Sequence, residues 1–131
     1  MKKYAVASFM LLLLLILGIP LQAQRERWAF LGDAHVDGAV DHDSIKVGRS
    51  DGRFRAIQLR VSGGFIEFDR VVVRFANGSH EELQVRERIP SGGQTRAIDL
   101  PGERRVIESV DLWYGKGKWE HRPKVSLYGI R

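Results

Sequence analysis

A chain of 131 residues without cysteine forms no disulfide, so its fold depends on packing alone. The formal net charge of +5 falls to +3 (5 − 2) when Lys2 and Lys3 are set aside with the N-terminal segment. The remaining cations are mostly arginines interleaved with acidic residues, which excludes a like-charge block of the kind that binds nucleic acid.

The N-terminus has the order of a secretory signal peptide. Lys2 and Lys3 give a positive start, residues 5–19 form an uncharged and mostly apolar run, and Ala23 ends a plausible cleavage site. The run of about fifteen residues is shorter than the roughly twenty that span a bilayer. We therefore expect cleavage of residues 1–23, with residues 24–131 forming one domain that is periplasmic or secreted and not membrane-inserted. An uncleaved membrane anchor is the alternative.

The segment 32–44, GDAHVDGAVDHDS, contains six residues of metal-binding type. They are Asp33, His35, Asp37, Asp41, His42 and Asp43. The start of this segment mimics a calcium loop, but His35 stands where an oxygen ligand is needed and Ser44 where a bidentate Glu is needed.

A transition metal is the next alternative for this segment. The weak candidate ligands are His35, His42, Asp37 and Asp41, which offer nitrogen and oxygen donors. The interpretation that we favour is a polar turn in which Asp side chains accept hydrogen bonds from backbone N–H groups. On that interpretation no metal is bound, and Ile45 begins a strand that points into the core.

The segment 48–52, GRSDG, matches the G-x-S-x-G pattern of a hydrolase nucleophile elbow. That elbow requires a helix directly after the serine. Here the following residues 54–59 have the pattern of a strand, so we expect a loop and no catalytic role for Ser50.

Beyond this loop, apolar and polar residues alternate in short runs. The runs lie at residues 57–61, 71–75, 83–85, 96–100, 110–114 and 125–127. A period of two is typical of half-buried antiparallel strands, and Asn77-Gly78 predicts a hairpin because both residues tolerate positive φ. About seven to nine such strands predict an all-β fold, an antiparallel sandwich of jelly-roll type.

These strand and turn patterns resemble a family of small, signal-bearing bacterial proteins of uncharacterised function. The stretches that carry the resemblance include DHDSIKVG at 41–48, DGRFRAIQLRVSGG at 51–64 and GGQTRAIDLPGERRVIESVDLWY at 92–114. The resemblance covers nearly all of residues 28–130. It implies an envelope or secreted β-sandwich domain, and it carries over no catalytic residue.

The segment 111–124, DLWYGKGKWEHRPK, combines aromatic and cationic side chains. Alternation places Tyr114 on the core side and Trp113 on the opposite side of a strand. An exposed Trp stacks on a sugar ring, while Lys and Arg bind anionic groups. The ligand-binding candidates are therefore Trp113, Trp119, Lys116, Lys118 and Arg122. The alternative is that the two Trp side chains only cover one side or one end of the sandwich.

Taken together, the sequence favours a non-catalytic binding or accessory domain of the bacterial envelope. Its expected ligand is a glycan or an anionic envelope component, and we expect no cofactor and no nucleic-acid partner. The arginine surplus is either a solvated face, which we favour, or a contact for phosphate, sulfate or carboxylate. A structural or protein–protein interaction module of the periplasm is the alternative function. An enzyme lacks any supported catalytic set.

Overall fold

The computed structural model of the chain describes residues 27–37, 42–115 and 122–131. The expected signal peptide, residues 1–23, lies outside these ranges. The described residues form strands and one 3-10 turn at Arg49–Asp51. The strands are β1 (Ala29–His35), β2 (His42–Lys46), β3 (Arg53–Phe54), β4 (Ala56–Ser62), β5 (Ile66–Phe75), β6 (His80–Leu83), β7 (Arg88–Ile89), β8 (Ile98–Asp99), β9 (Arg105–Tyr114) and β10 (Lys124–Ile130). Across the described ranges we find no helix long and apolar enough to cross a membrane.

The strands form two antiparallel sheets. One sheet has the order β1-β10-β4-β8, and the other has the order β2-β9-β5-β6, with β3 added to β9 and β7 added to β5. The principal partners nest from the two ends of the chain inward, since β1 pairs with β10, β2 with β9, β4 with β8 and β5 with β6. A long hairpin rolled into a jelly roll has this order of strand pairs. The predicted fold is therefore confirmed.

A single hydrophobic core lies between the two sheets. Its members lie two residues apart over much of each longer strand, as in Ile57, Leu59 and Val61 of β4, which are buried. Each Val, Leu, Ile or Phe side chain that is fully buried contributes about 1.5–3 kcal/mol relative to its exposed state. The alternation read from the sequence therefore identifies the core-facing side of the longer strands correctly. Three strands, β3, β7 and β8, have only two residues each and are too short to give such a pattern.

The Asn77-Gly78 turn joins β5 to β6 as predicted, but its geometry differs from the expected one. Gly78 has φ +88°, whereas no non-glycine residue in the described ranges has positive φ. Asn77 acts through its side chain instead, because its Oδ1 accepts hydrogen bonds from the Ser79 N at 3.0 Å and the Ser79 Oγ at 2.6 Å. The loop closes with a bond from the Phe75 N to the Ser79 O at 2.9 Å.

Gly129 in β10 allows a close approach across the core. A methyl group at this position would lie 2.7 Å from Cδ1 of Phe54 and 3.0 Å from Cδ1 of Leu31. We expect Gly129→Ala to lower the free energy of unfolding by about 1–3 kcal/mol, because well-packed cores tolerate added atoms poorly. Urea denaturation measures the loss.

Gly48→Ala is the matched control for this substitution. Gly48 has an extended backbone with φ −162°, and the atom nearest to an added methyl group is the Ser50 Oγ at 3.9 Å. Its free energy of unfolding should change by about 0.5 kcal/mol or less. Equal losses in the two variants would contradict the steric argument.

Candidate functional site

Trp113 projects from the outer face of the β2-β9-β5-β6 sheet, as the alternation predicted. Its partners in register are His42 of β2 on one side and Arg70 of β5 on the other. The His42 ring stacks on the indole, with ring centroids 4.4 Å apart and an angle of 15° between the ring planes. The Arg70 guanidinium lies 4.8 Å from the indole centroid. A sugar ring would therefore have to displace one of these two side chains to stack on Trp113.

The same outer face is covered by paired polar side chains. The Arg74 Nε donates to the Asp111 Oδ2 at 2.6 Å, and the Arg70 Nε lies 3.3 Å from the Glu82 Oε1. Burial by itself raises the pKa of Asp111, but hydrogen bonds from Ser44 and Arg74 and the charge of Arg74 outweigh it, so the pKa is lowered. This face satisfies its own polar groups, which is the arrangement of a structural surface.

The other residues predicted for ligand binding are placed as follows. Arg122 is exposed directly before β10, whereas Lys116, Lys118 and Trp119 lie outside the described residues. Their role as ligand contacts stays a prediction.

The weak metal candidates are spread over two sheets. His35 ends β1, opposite Lys124 of β10, and His42 lies in β2 against Trp113. Asp37 is exposed beyond β1, and Asp41 is outside the described residues. Within the part of the chain that the structure describes, no group of three or more His, Cys, Asp or Glu is placed to hold a metal ion.

Asp43, the last acidic residue of the 32–44 segment, has a role that differs from the expected turn. Its Oδ2 accepts a hydrogen bond from the Tyr114 hydroxyl at 3.1 Å. Burial and the neighbouring Asp43 carboxylate both raise the pKa of Tyr114, so the hydroxyl stays a proton donor. The bond links β2 to the end of β9.

A concavity of about 440 Å³ at one end of the sandwich is lined by four arginines, Arg49, Arg53, Arg104 and Arg105. Its other lining residues are Phe75, Ala76, Asn77 and Val106, so none of the described residues that line it is acidic. We call this feature the arginine concavity. It combines a high density of positive charge with a partly apolar wall.

Three separate elements bring these arginines together. Arg49 belongs to the 3-10 turn after β2, and Arg53 begins β3. The pairing of Arg53 with Val106 and of Phe54 with Arg105 fixes β3 against the start of β9. Arg104 directly precedes β9, so the site depends on the β3–β9 pairing.

Arg105 is held in place before any ligand arrives. Its Nη1 donates to the Pro101 carbonyl at 2.9 Å, and its Nη2 donates to the Ser79 Oγ at 3.1 Å. Its guanidinium also lies 3.8 Å from the centroid of the Phe75 ring. A guanidinium has five N–H donors, so donors remain for a ligand. A preorganised cation of this kind loses little side-chain freedom on binding.

Among the described residues, no carboxylate forms an ion pair with the other three arginines of the concavity, Arg49, Arg53 and Arg104. The ion pairs between described residues are Arg70–Glu82, Arg74–Asp111 and Arg96–Glu87, and none of them includes an arginine of the concavity. Guanidinium groups bind carboxylate, sulfate and phosphate through parallel charge-assisted hydrogen bonds. The concavity is therefore suited to an anionic group.

Sequence reasoning missed this site because its members are scattered. The four arginines come from residues 49–53 and 104–105, each interleaved with Asp51 or Glu103. The general arginine surplus was the one available signal, and we favoured a solvated face as its explanation. Only the nesting of the strands shows that these arginines share one wall.

The fold and the site define an all-β jelly-roll domain with a cationic concavity at one end. The family model described as Domain of unknown function (DUF2541) matches residues 8–129, so the chain belongs to this family. This confirms the resemblance to a family of uncharacterised function. Among curated proteins, none matches the chain.

One solved structure, described as "Structural and functional characterization of Pseudomonas aeruginosa AlgX", is similar to this chain. The TM-score is 0.53 at 10% sequence identity, and the match covers 80% of this chain. The chain corresponds to only 27% of the length of that structure. At this identity the similarity concerns the fold alone.

Proposed function

We propose that this protein is a non-catalytic binding domain of the bacterial envelope and that it holds an acidic glycan in the arginine concavity. The observation that carries the proposal is the set of four arginines around one concavity, with no acidic side chain among its described lining residues. A glycan suits the site because the half-buried Ala76 and Val106 give it an apolar wall beside the cations. The signal-like N-terminus supports an envelope or secreted location.

The proposal is tested by calorimetric titration with polygalacturonate and hyaluronan fragments as acidic glycans and dextran as the neutral one. We expect at least one acidic glycan to bind and dextran not to bind. Replacing Arg53 by alanine should weaken the binding about tenfold or more, because a hydrogen bond to a charged group is worth about 1.5–3 kcal/mol. Raising the salt to about 1 M, where the Debye length is about 3 Å, should also weaken it.

Arg86→Ala is the matched control, since Arg86 is an exposed arginine that does not line the concavity. Its affinity for the glycan should stay within about a factor of two of the wild type. Equal binding of dextran, or an unchanged affinity in Arg53→Ala, would reject the proposal. Isolation of a stable protein partner without glycan binding would favour the interaction module instead.

A further inference from the structure

The arginine concavity adjoins two further concavities at shared residues, and we call the three together the groove. A second concavity of about 200 Å³ shares Arg49, Ala76 and Val106 with it. A third, of about 480 Å³, shares Arg104 with it on another side. Because the concavities meet at shared residues, a ligand longer than one sugar can reach from the arginine concavity towards both neighbours. A small anion would fill only the centre.

The charge changes along this groove. The centre has four arginines, whereas the second concavity includes Glu108 and the third includes Asp99 and Glu103 beside Arg55. A chain with a negative charge on every unit would place anionic groups near these carboxylates. Two like charges a few ångströms apart repel each other, and the repulsion is stronger near a protein surface than in bulk water. The flanks therefore disfavour a uniformly charged chain.

Neutral sugars fit the flanks better than charged ones. Their hydroxyl groups donate hydrogen bonds to carboxylates and accept them from guanidinium groups, and both kinds of partner are present in the third concavity. From the order of charges along the groove we infer that its ligand is an oligosaccharide in which an acidic sugar stands between neutral sugars. The acidic sugar lies in the arginine concavity, and the neutral sugars lie in the two flanking concavities. This inference rests on the proposed function.

The test compares ligands of equal length and different charge spacing. Hyaluronan fragments have a carboxylate on every second sugar, oligogalacturonate has one on every sugar, and polyphosphate is a uniformly charged chain without sugars. We expect a hyaluronan tetrasaccharide to bind about tenfold or more tighter than free glucuronate, because only the longer ligand reaches the flanks. It should also bind several-fold tighter than oligogalacturonate of the same length.

A variant tests the flank directly. Glu103→Gln removes a negative charge from the third concavity without changing its shape, so it should increase the affinity for oligogalacturonate about threefold or more and leave that for hyaluronan nearly unchanged. Glu67→Gln is the matched control, because Glu67 lies in β5 near the end opposite Phe75. It should change neither affinity.

The outcomes separate the inference from the proposed function. If neither acidic glycan binds, the proposed function fails and the inference fails with it. If acidic glycans bind through Arg53 but glucuronate binds as tightly as the tetrasaccharide, the proposed function stands and the inference is overturned. Tighter binding of oligogalacturonate or polyphosphate than of hyaluronan by the wild-type protein also overturns it, as does an unchanged preference in Glu103→Gln.

Discussion

Phe54→Ala is expected to lower the free energy of unfolding by about 3–5 kcal/mol, the range for removing a buried aromatic ring. Phe54 is 0% exposed. Its backbone pairs with Arg105 of β9, and its side chain packs in the core. Its ring lies directly over Gly129, which has no side chain to fill the space that the substitution leaves. Little relaxation is therefore available, and most of the cavity should remain.

The loss is measured by urea denaturation followed by tryptophan fluorescence, with a shift of the midpoint at constant slope. Phe30→Ala is the matched control, since Phe30 is 49% exposed and should cost about 1 kcal/mol or less. A loss in Phe54→Ala that is no greater than in Phe30→Ala would contradict the central position of Phe54. Because Arg53 precedes Phe54, binding of acidic glycans should weaken in the same variant.

Phe54 also shows what the sequence alone could predict about the fold. Alternation identified the longer strands because in most of them one face packs into the core and the other is more exposed, as in β10, where Val125 and Leu127 are buried and Lys124 and Ser126 are only half-buried. Phe54 lies in a strand of two residues, and the partner of that strand is more than fifty positions away along the chain. Phe54 is buried because β3 pairs with β9, and a local sequence pattern gives no information about this long-range pairing.

The surroundings of the candidate site residues likewise depend on long-range strand pairing. The sequence placed Trp113 on the outward face correctly, but it gave no sign that His42 and Arg70 stand on either side of the indole. Those partners come from β2 and β5, which only the sheet order brings to β9. The arginine concavity likewise needs the pairing of β3 with β9. Residue types were visible in the sequence, whereas their convergence was not.

Arg74→Met should lower the free energy of unfolding by about 2–3 kcal/mol at neutral pH, because it leaves a buried carboxylate without its cation. The Asp111 side chain is 10% exposed, whereas that of Arg74 is 50% exposed. The pair is therefore asymmetric. Asp111→Asn should cost less than Arg74→Met, since water can solvate the arginine that remains.

The pH dependence follows from the direction of the Asp111 shift. In the wild type the pKa of Asp111 lies below its value in the unfolded chain, which is about 3.9. The stability that this group contributes is therefore complete above about pH 4 and is lost as the pH falls through the lower, folded pKa. In Arg74→Met the guanidinium no longer opposes the effect of burial, so the pKa of Asp111 is higher than in the wild type and the carboxylate is protonated earlier as the pH falls. The difference between the two proteins should shrink on acidification.

Urea denaturation at neutral pH and at about pH 3, below the unfolded pKa of about 3.9, measures this difference. Arg96→Met is the matched control, because Arg96 pairs with Glu87 and their side chains are 57% and 42% exposed. Exposed pairs of this kind contribute about 0–1 kcal/mol, so Arg96→Met should have a small and nearly pH-independent effect. The low exposure of Asp111 predicts a larger loss for Arg74→Met, and this loss should decrease as the pH falls. A loss that equals that of Arg96→Met, or that grows on acidification, would show that Arg74 does not neutralise Asp111 in solution.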